Sequence, residues 1–431
     1  MPETDSTGSN HAVPVIDGEL HLALSRVAWR GGRRACAERD EDAVTLAAEA
    51  AMALLGRRDD AGRPGALVLA TTTPPYRLGG NVQPLAEILD LADDVVALEL
   101  TATAADGLAA LRVAAALAAP GRPALAVAAH RGSQLRGEEG DGAVALLVGS
   151  EPEAMRLELG PARAEEARQR WALAGDAPER EADPTLTAAQ VEARARAAAD
   201  GAPAGLVSLA GARTTARLER ALGGPGDPVA SRAGFLGSAH AAARLLAGAG
   251  VAQALVVTAN GVTQGARATP GPGAGPAAAR AAAALAAGAE ADRLPAVEAR
   301  AEDFAPYQSL PRAARERGQD LRLAAVRCRG CGRIVYPPPT ASCPSCGAAG
   351  PHEGARLGRE GTVLTATRDH VYPDGDVTVM AVVTVDGGGR FYGQGVPSAE
   401  LAVGGRVRLA PRVLHRGGDV VQYFWKVEPC R

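Results

Sequence analysis

Four cysteines crowded between residues 328 and 346 constrain this chain more than any other feature. They stand as two C-x-x-C pairs, Cys328 and Cys331 in CRGC, then Cys343 and Cys346 in CPSC. Two residues between partners let both thiolates of one tight turn face a single ion, and Zn²⁺ takes four such sulfurs in a tetrahedron at about 2.3 Å. Gly332 and Gly347 each follow the second cysteine of a pair, where the turn favours a residue without Cβ. YPPPT (336–340) supplies a stiff, extended crossing between the pairs. The pattern predicts a structural Zn²⁺ knuckle with no open coordination position, although iron uses the same four ligands. A thioredoxin-type motif would need one pair in an α/β setting rather than two. Six cysteines in 431 residues do not make a disulfide scaffold, and Cys36 and Cys430 read as ordinary thiols.

Upstream of the knuckle the pattern is different. GALVLATTT (65–73), DDVVALEL (93–100), PALAVAAH (123–130) and GAVALLVG (142–149) read as short buried strands bounded by Gly, Pro or Asp. Alanine-rich helical stretches such as 106–119 lie between them, and the alternation predicts an α/β domain with a largely buried sheet. LVLATTT has a counterpart in LVSLAGA (206–212), and DGLAALRVAAALAAPGRPALAVAAH (106–130) one in LGSAHAAARLLAGAGVAQALVVTAN (236–260). Two such copies predict a duplicated α/β half. Segments 150–200 and 261–300 read as surface helices and loops, with TPGPGAGP (269–276) as a flexible loop. Residues 301–323 read as a helical connector.

From Ala324 helical periodicity disappears. Segments 361–372, 377–387, 390–396, 405–415 and 420–429 read as five strands of an OB-like β-barrel. Basic and acidic residues nearly balance, 46 against 49, and the basic side is almost all arginine. That balance argues against nucleic acid as a partner, and YFW (423–425) on a terminal strand reads as core rather than as a stacking platform. The polar, acidic N-terminus does not read as a signal peptide, and no apolar run reaches the ~20 residues of a membrane span, so the expectation is a cytoplasmic protein with no membrane partner.

These residues carry a family likeness. CRGCGRIVYPPP, CPSCG, GREGTVLTATRDHVY and the five-strand tail resemble the acyl-CoA-associated zinc-ribbon/OB-fold family. RDEDAVTLAAEAA (39–51), LATTTPPY (69–76), EEGDGAVALLVG (138–149) and GFLGSAHAAARLL (234–246) resemble, in order, the hydroxymethylglutaryl-CoA synthase branch of the thiolase superfamily. The resemblance implies a duplicated thiolase-like α/β/α/β/α domain over 13–300, the connector over 301–323, a zinc ribbon over 324–350 and an OB-fold domain over 351–431. It also implies an acyl-CoA thioester as ligand and a homodimer as base unit.

The family's catalytic residues do not carry over. Register on Gly107 puts Ala104 at the position of the cysteine nucleophile, the general acid falls at Thr72 and the histidine at Gly211. No cysteine lies between 37 and 327. The leading expectation is a catalytically degenerate subunit that assists a separate thiolase with an intact cysteine, its barrel meeting CoA phosphates through Arg406, Arg408 and Arg412. The alternative is an active acyltransferase or condensing enzyme with a non-cysteine mechanism, using groups such as His130, His240 or Thr72.

Overall fold

The computed structural model describes residues 11–23, 25–29, 32–57, 63–150, 153–172, 180–290, 294, 309–339, 341–370, 377–397, 399–417 and 420–430. Two compact units emerge. The first comprises residues 1–37, 50–82 and 92–295; the second comprises 38–49, 83–91 and 296–431.

The first unit is built on one mixed sheet. Its main strands are β1 (His11–Leu22), β2 (Ala66–Thr71), β3 (Val96–Leu100), β4 (Ala124–Arg131), β5 (Asp141–Val148), β6 (Met155–Leu159), β7 (Gly205–Ser208), β8 (Gln253–Ala259) and β9 (Val262–Pro270). They run in the order β7-β8-β9-β6-β1-β5-β4-β2-β3. β2 pairs parallel with β3 and β4, β4 antiparallel with β5, and β5 antiparallel with β1. The second half repeats the plan: β7 pairs parallel with β8, β8 antiparallel with β9, and β9 antiparallel with β6. The halves join along β1 and β6. Every residue of β2 and β5 is buried, as continuous apolar runs demand of strands covered on both faces.

Helices α1 (Asp106–Leu117) and α2 (His240–Ala247) are the equivalent buried helices of the two halves. They start against one another. A Cβ on Gly107 would stand 2.0 Å from the Ser238 carbonyl oxygen, so only glycine permits the approach. Ser238, in the short 3₁₀ turn Gly237–Ala239, donates its hydroxyl to the carbonyls of Ala70 and Ala129, tying that turn to the ends of β2 and β4.

Two expectations need correction. Segments 150–200 and 261–300 are not only surface helices and loops, because β6 and β9 lie in the main sheet. In β6 alternate residues Met155, Leu157 and Leu159 are buried, while arginine and glutamate between them disguise the strand as surface. TPGPGAGP is not one flexible loop: β9 ends at Pro270 and a helix begins at Ala274. The intervening turn is held by Gly271 and Gly273 donating to the backbone of Ala154 and Glu153.

In the second unit, helix Leu310–Asp320 precedes a small ribbon of β10 (Ala324–Arg327), β11 (Ile334–Val335) and β12 (Glu353–Arg356). Residues 301–308 of the expected connector lie outside the described residues. The ribbon is followed by β13 (Glu360–Asp369), β14 (Thr378–Val385), β15 (Arg390–Gln394), β16 (Arg406–Gly417) and β17 (Val420–Pro429), in the order β15-β14-β13-β16-β17. A bridge from Gly395 to Val427 brings the first and last strands together, so the sheet is a nearly closed barrel. Trp425, Phe391 and Tyr423 are buried in it. Tyr423 and Trp425 of YFW are therefore core, as read from the sequence, while Phe424 is half-buried and stacks on Phe391.

Candidate functional sites

The first unit holds a cavity of about 380 Å³ among β7, the helix Ala212–Ala221, the helix Pro228–Ala233 and Phe235. Leu206, Val207, Ala216, Ala230 and Phe235 give it apolar walls, and Arg170, Glu138, Ser208 and His240 supply polar groups. Gly211 opens the helix Ala212–Ala221 at φ 80° and lines the cavity, and a Cβ there would meet nothing within 4 Å. The space beside it is open, but the backbone there is in a conformation that side-chain-bearing residues rarely adopt.

His240 is fully committed. Its Nδ1 accepts from the Leu236 amide at 3.2 Å, and its Nε2 faces Asp227 Oδ2 at 2.7 Å. Burial works against the charge on Asp227, yet the imidazole and the Arg244 guanidinium hold its carboxyl far below the usual range. Arg244 makes a two-bond fork with Glu219 at 2.8 and 2.9 Å. This network braces the cavity floor.

Ala104 lies at the head of α1 and is 2% exposed. A helix start favours a thiolate or oxyanion through its free amides. Here the position offers a methyl group, and in the turn before the helix the Asp106 carboxylate accepts from the amides of Ala102 and Thr103 at 2.6 and 2.8 Å.

Thr72 and His130, distant in the chain, are brought together: Thr72 Oγ1 is 3.0 Å from His130 Nδ1. His130 Nε2 lies 3.2 Å from Glu139 Oε2, and Arg170 donates to the other Glu139 oxygen. Burial pushes Glu139 up, but the hydrogen bond and charge of His130, with the Arg170 guanidinium, leave its carboxyl below its ordinary value. Glu139 and Arg170 were missed from sequence. The available signal was the acid pair at the start of EEGDGAVALLVG.

In the second unit the four cysteines converge, their sulfurs all within 4.8 Å of one another. Cys328 and Cys346 are 3.6 Å apart, Cys331 and Cys343 3.9 Å. A tetrahedron with ~2.3 Å metal–sulfur bonds has edges of about 3.8 Å, so the donor set fits a Zn²⁺ ion. The two knuckles match bond for bond. Gly332 and Gly347 donate to the Cys328 and Cys343 carbonyls at 2.8 and 2.9 Å, with φ of 72° and 73°.

The arginines expected to meet phosphates face carboxylates of their own unit. Arg412 is 3% exposed and is surrounded by Glu49 at 2.9 Å, Glu428 at 3.4 Å, Glu41 at 3.5 Å and Asp40 at 3.9 Å. Arg408 pairs with Glu49 at 2.7 Å and with Glu428. Arg406 remains exposed but pairs with Asp386 at 2.6 Å. Burial and charge neutralisation remove Arg412 from any phosphate-binding surface, because freeing it would take a buried cation from Glu41 and leave Glu49 and Glu428 to Arg408 and Asp40 to Lys426.

The profile of the family described as "ChsH2, rubredoxin-like zinc ribbon domain" matches residues 315–352. The hydroxymethylglutaryl-CoA synthase of Pyrobaculum neutrophilum is 33% identical over 144 residues, which are 32% of this chain and 41% of that protein. The match thus spans about two fifths of the relative's length. Among solved structures, MvaS in complex with 3-hydroxy-3-methylglutaryl coenzyme A superposes with a TM-score of 0.52 at 20% identity, covering 65% of this chain and 89% of that one. PksG, a HMG-CoA synthase from Bacillus subtilis, gives 0.55 at 14% identity, covering 65% and 86%. The curacin-pathway HMG synthase in complex with acetyl donor-ACP gives 0.53 at 17%, covering 64% and 85%. At these identities the likeness is one of fold. The chain joins a thiolase-type fold of the hydroxymethylglutaryl-CoA synthase kind to a ChsH2-type rubredoxin-like zinc ribbon and a barrel-like five-strand sheet.

Proposed function

We propose that this protein is a cytoplasmic thiolase-superfamily subunit that no longer runs cysteine-dependent acyl condensation and that assists a separate thiolase or acyltransferase. One observation carries the reading: Ala104 stands at the head of the buried helix α1, with Asp106 bound to the neighbouring amides. A methyl group cannot attack a thioester. Gly211, which brings no side chain to the cavity, supports the same loss of chemistry.

The cavity supports retention of a thioester ligand. Its apolar walls suit an acyl chain or pantetheine arm, and the exposed Arg213 and Arg220 on its lining suit the phosphates better than the ion-paired barrel arginines. β3 ends the main sheet with Val96 46% and Leu98 40% exposed, which supports a second copy covering that edge in a homodimer. The four thiols would hold one structural Zn²⁺, which stiffens a ribbon too small for a core of its own. Fusion to the ribbon and barrel would raise their local concentration beside a partner enzyme, to roughly the mM range.

Purification of the full chain from its native host at low salt tests this reading. The expected result is co-elution with a thiolase that has an intact cysteine, and no condensation of acetyl-CoA with acetoacetyl-CoA by this chain alone. Condensing activity in the isolated protein, or the absence of any thiolase in the co-eluting material, would overturn it.

A further inference from the structure

The hydrogen-bonded chain Thr72–His130–Glu139–Arg170 has a defined direction. Glu139 is a carboxylate braced by Arg170, and a carboxylate only accepts hydrogen bonds. In the neutral imidazole, the tautomer that suits this partner carries its proton on Nε2, 3.2 Å from Glu139 Oε2. That tautomer leaves a lone pair on Nδ1, 3.0 Å from the Thr72 hydroxyl, which then donates. A hydroxyl donating to an imidazole that is itself oriented by a carboxylate is the arrangement that activates an oxygen nucleophile.

Two glycines make room for it. A Cβ on Gly237 would lie 2.3 Å from His130 Nδ1 and 2.6 Å from Thr72 Oγ1, and one on Gly132 would lie 2.2 Å from both His130 Nε2 and Glu139 Oε2. Gly237 holds φ 48°, and its neighbour Ser238 abuts Gly107 near the head of α1. The imidazole and Glu139 are each 4% exposed, whereas Thr72 is only half-buried. Of these three groups, Thr72 is the one open to a substrate. His130 packs edge-on to Phe235, and Phe235 and Arg170 line the cavity, so the chain of groups runs from Thr72 to the cavity wall.

We propose that Thr72, His130 and Glu139 form a nucleophile–base–orienter triad that moves an acyl group from a thioester to the Thr72 oxygen and then to water. In the first half, Thr72 Oγ bonds to the thioester carbonyl carbon while its proton passes to His130 Nδ1. The imidazolium so formed is stabilised by Glu139. The carbon–sulfur bond then breaks, and the thiolate takes the proton from Nδ1 and leaves as free thiol. In the second half, a water molecule gives its proton to Nδ1 and bonds to the ester carbonyl. The carbon–oxygen bond to Thr72 breaks, the proton returns to Thr72, and a carboxylic acid is released. No oxidant, metal or cysteine is needed, and the step forms no carbon–carbon bond, so it goes beyond the assisting role and does not depend on a partner.

The full-length chain is incubated with acetyl-CoA, with free CoA quantified by chromatography, and in parallel with p-nitrophenyl acetate followed by acid quench and peptide mass mapping. The expected result is CoA release above buffer and an acetyl group on Thr72. Thr72→Val, close in volume and without the hydroxyl, should abolish both, and Thr72→Ser should retain both. His130→Gln should lower turnover on the order of 100-fold or more. Wild-type turnover no faster than buffer, turnover unchanged in Thr72→Val, or an acetyl group only on other residues would each overturn the triad. If Thr72→Val does not fold, loss of the adduct in a folded Thr72→Ser protein overturns it as well. An inert wild type that still co-elutes with a thiolase would sink the triad and leave the assisting role standing.

Discussion

Replacing Glu41 by Gln should make the second unit more stable at alkaline pH and leave it nearly unchanged in acid. Glu41 is buried beside Asp40 and Glu49, with Arg412 3.5 Å away and the Glu38 amide donating to it at 2.8 Å. Burial raises its carboxyl from 4.5 to about 7, against the pull of Arg412 and the Glu38 amide. A carboxyl whose folded value lies above its unfolded one favours the folded state only while it is protonated. Its contribution is therefore fully present below pH ~4.5, falls between ~4.5 and 7, and is gone above 7. The difference of 2.5 units (7 − 4.5) at ~1.36 kcal/mol per unit amounts to about 3 kcal/mol. Glutamine keeps an acceptor for the Glu38 amide and cannot titrate. Calorimetric scans of wild type and Glu41→Gln at pH 4 and pH 8.5, following the transition that contains Trp425, read the effect. Melting temperatures should nearly coincide at pH 4 and separate by several degrees at pH 8.5, with the variant higher. Parallel curves across that range would refute the assignment of a strained, buried charge to Glu41.

The four thiols should hold one zinc per chain. Cys343→Ser should lose it by elemental analysis and unfold the ribbon, because binding energy in such sites is folding energy of roughly 10–16 kcal/mol; the first unit should keep its own melting transition. Arg412→Met should destabilise the second unit by about 3–5 kcal/mol in chemical denaturation, since it removes the buried cation shared by Glu49, Glu428, Glu41 and Asp40 and leaves Arg408 and Lys426 to balance them. Gly107→Ala should destabilise the first unit far more than a surface helix substitution would. Its Cβ would force the Ser238 carbonyl away, and circular dichroism melts should show the loss.

Much of the architecture is legible in the sequence. The strands at 66–71, 124–131 and 141–148 are continuous apolar runs, so burial on both faces was written in their composition. β6 and β9 were missed because each carries polar residues on alternate positions. The reading of 269–276 as a loop failed because glycine was weighed as flexibility, whereas Gly271 stands where a Cβ would lie 2.2 Å from the Glu153 carbonyl.

The sequence by itself determined the metal knuckle. Its ligands sit in two local turns, each turn closed by a glycine at positive φ, so spacing alone dictates the geometry. It also settled that no cysteine in the first unit beyond Cys36 could serve as nucleophile. Tertiary structure decided what the isolated polar residues do. Thr72 and His130 are 58 positions apart and meet only because β2 and β4 are neighbours in the sheet. Arg412 looked like a surface cation in a basic strand. It is a buried counterion because residues 38–49 bring Asp40, Glu41 and Glu49 to it across more than 350 positions of sequence. One-dimensional patterns report which residues prefer to be buried; which charge meets which is fixed by contacts between segments, and those exist only once the chain has folded.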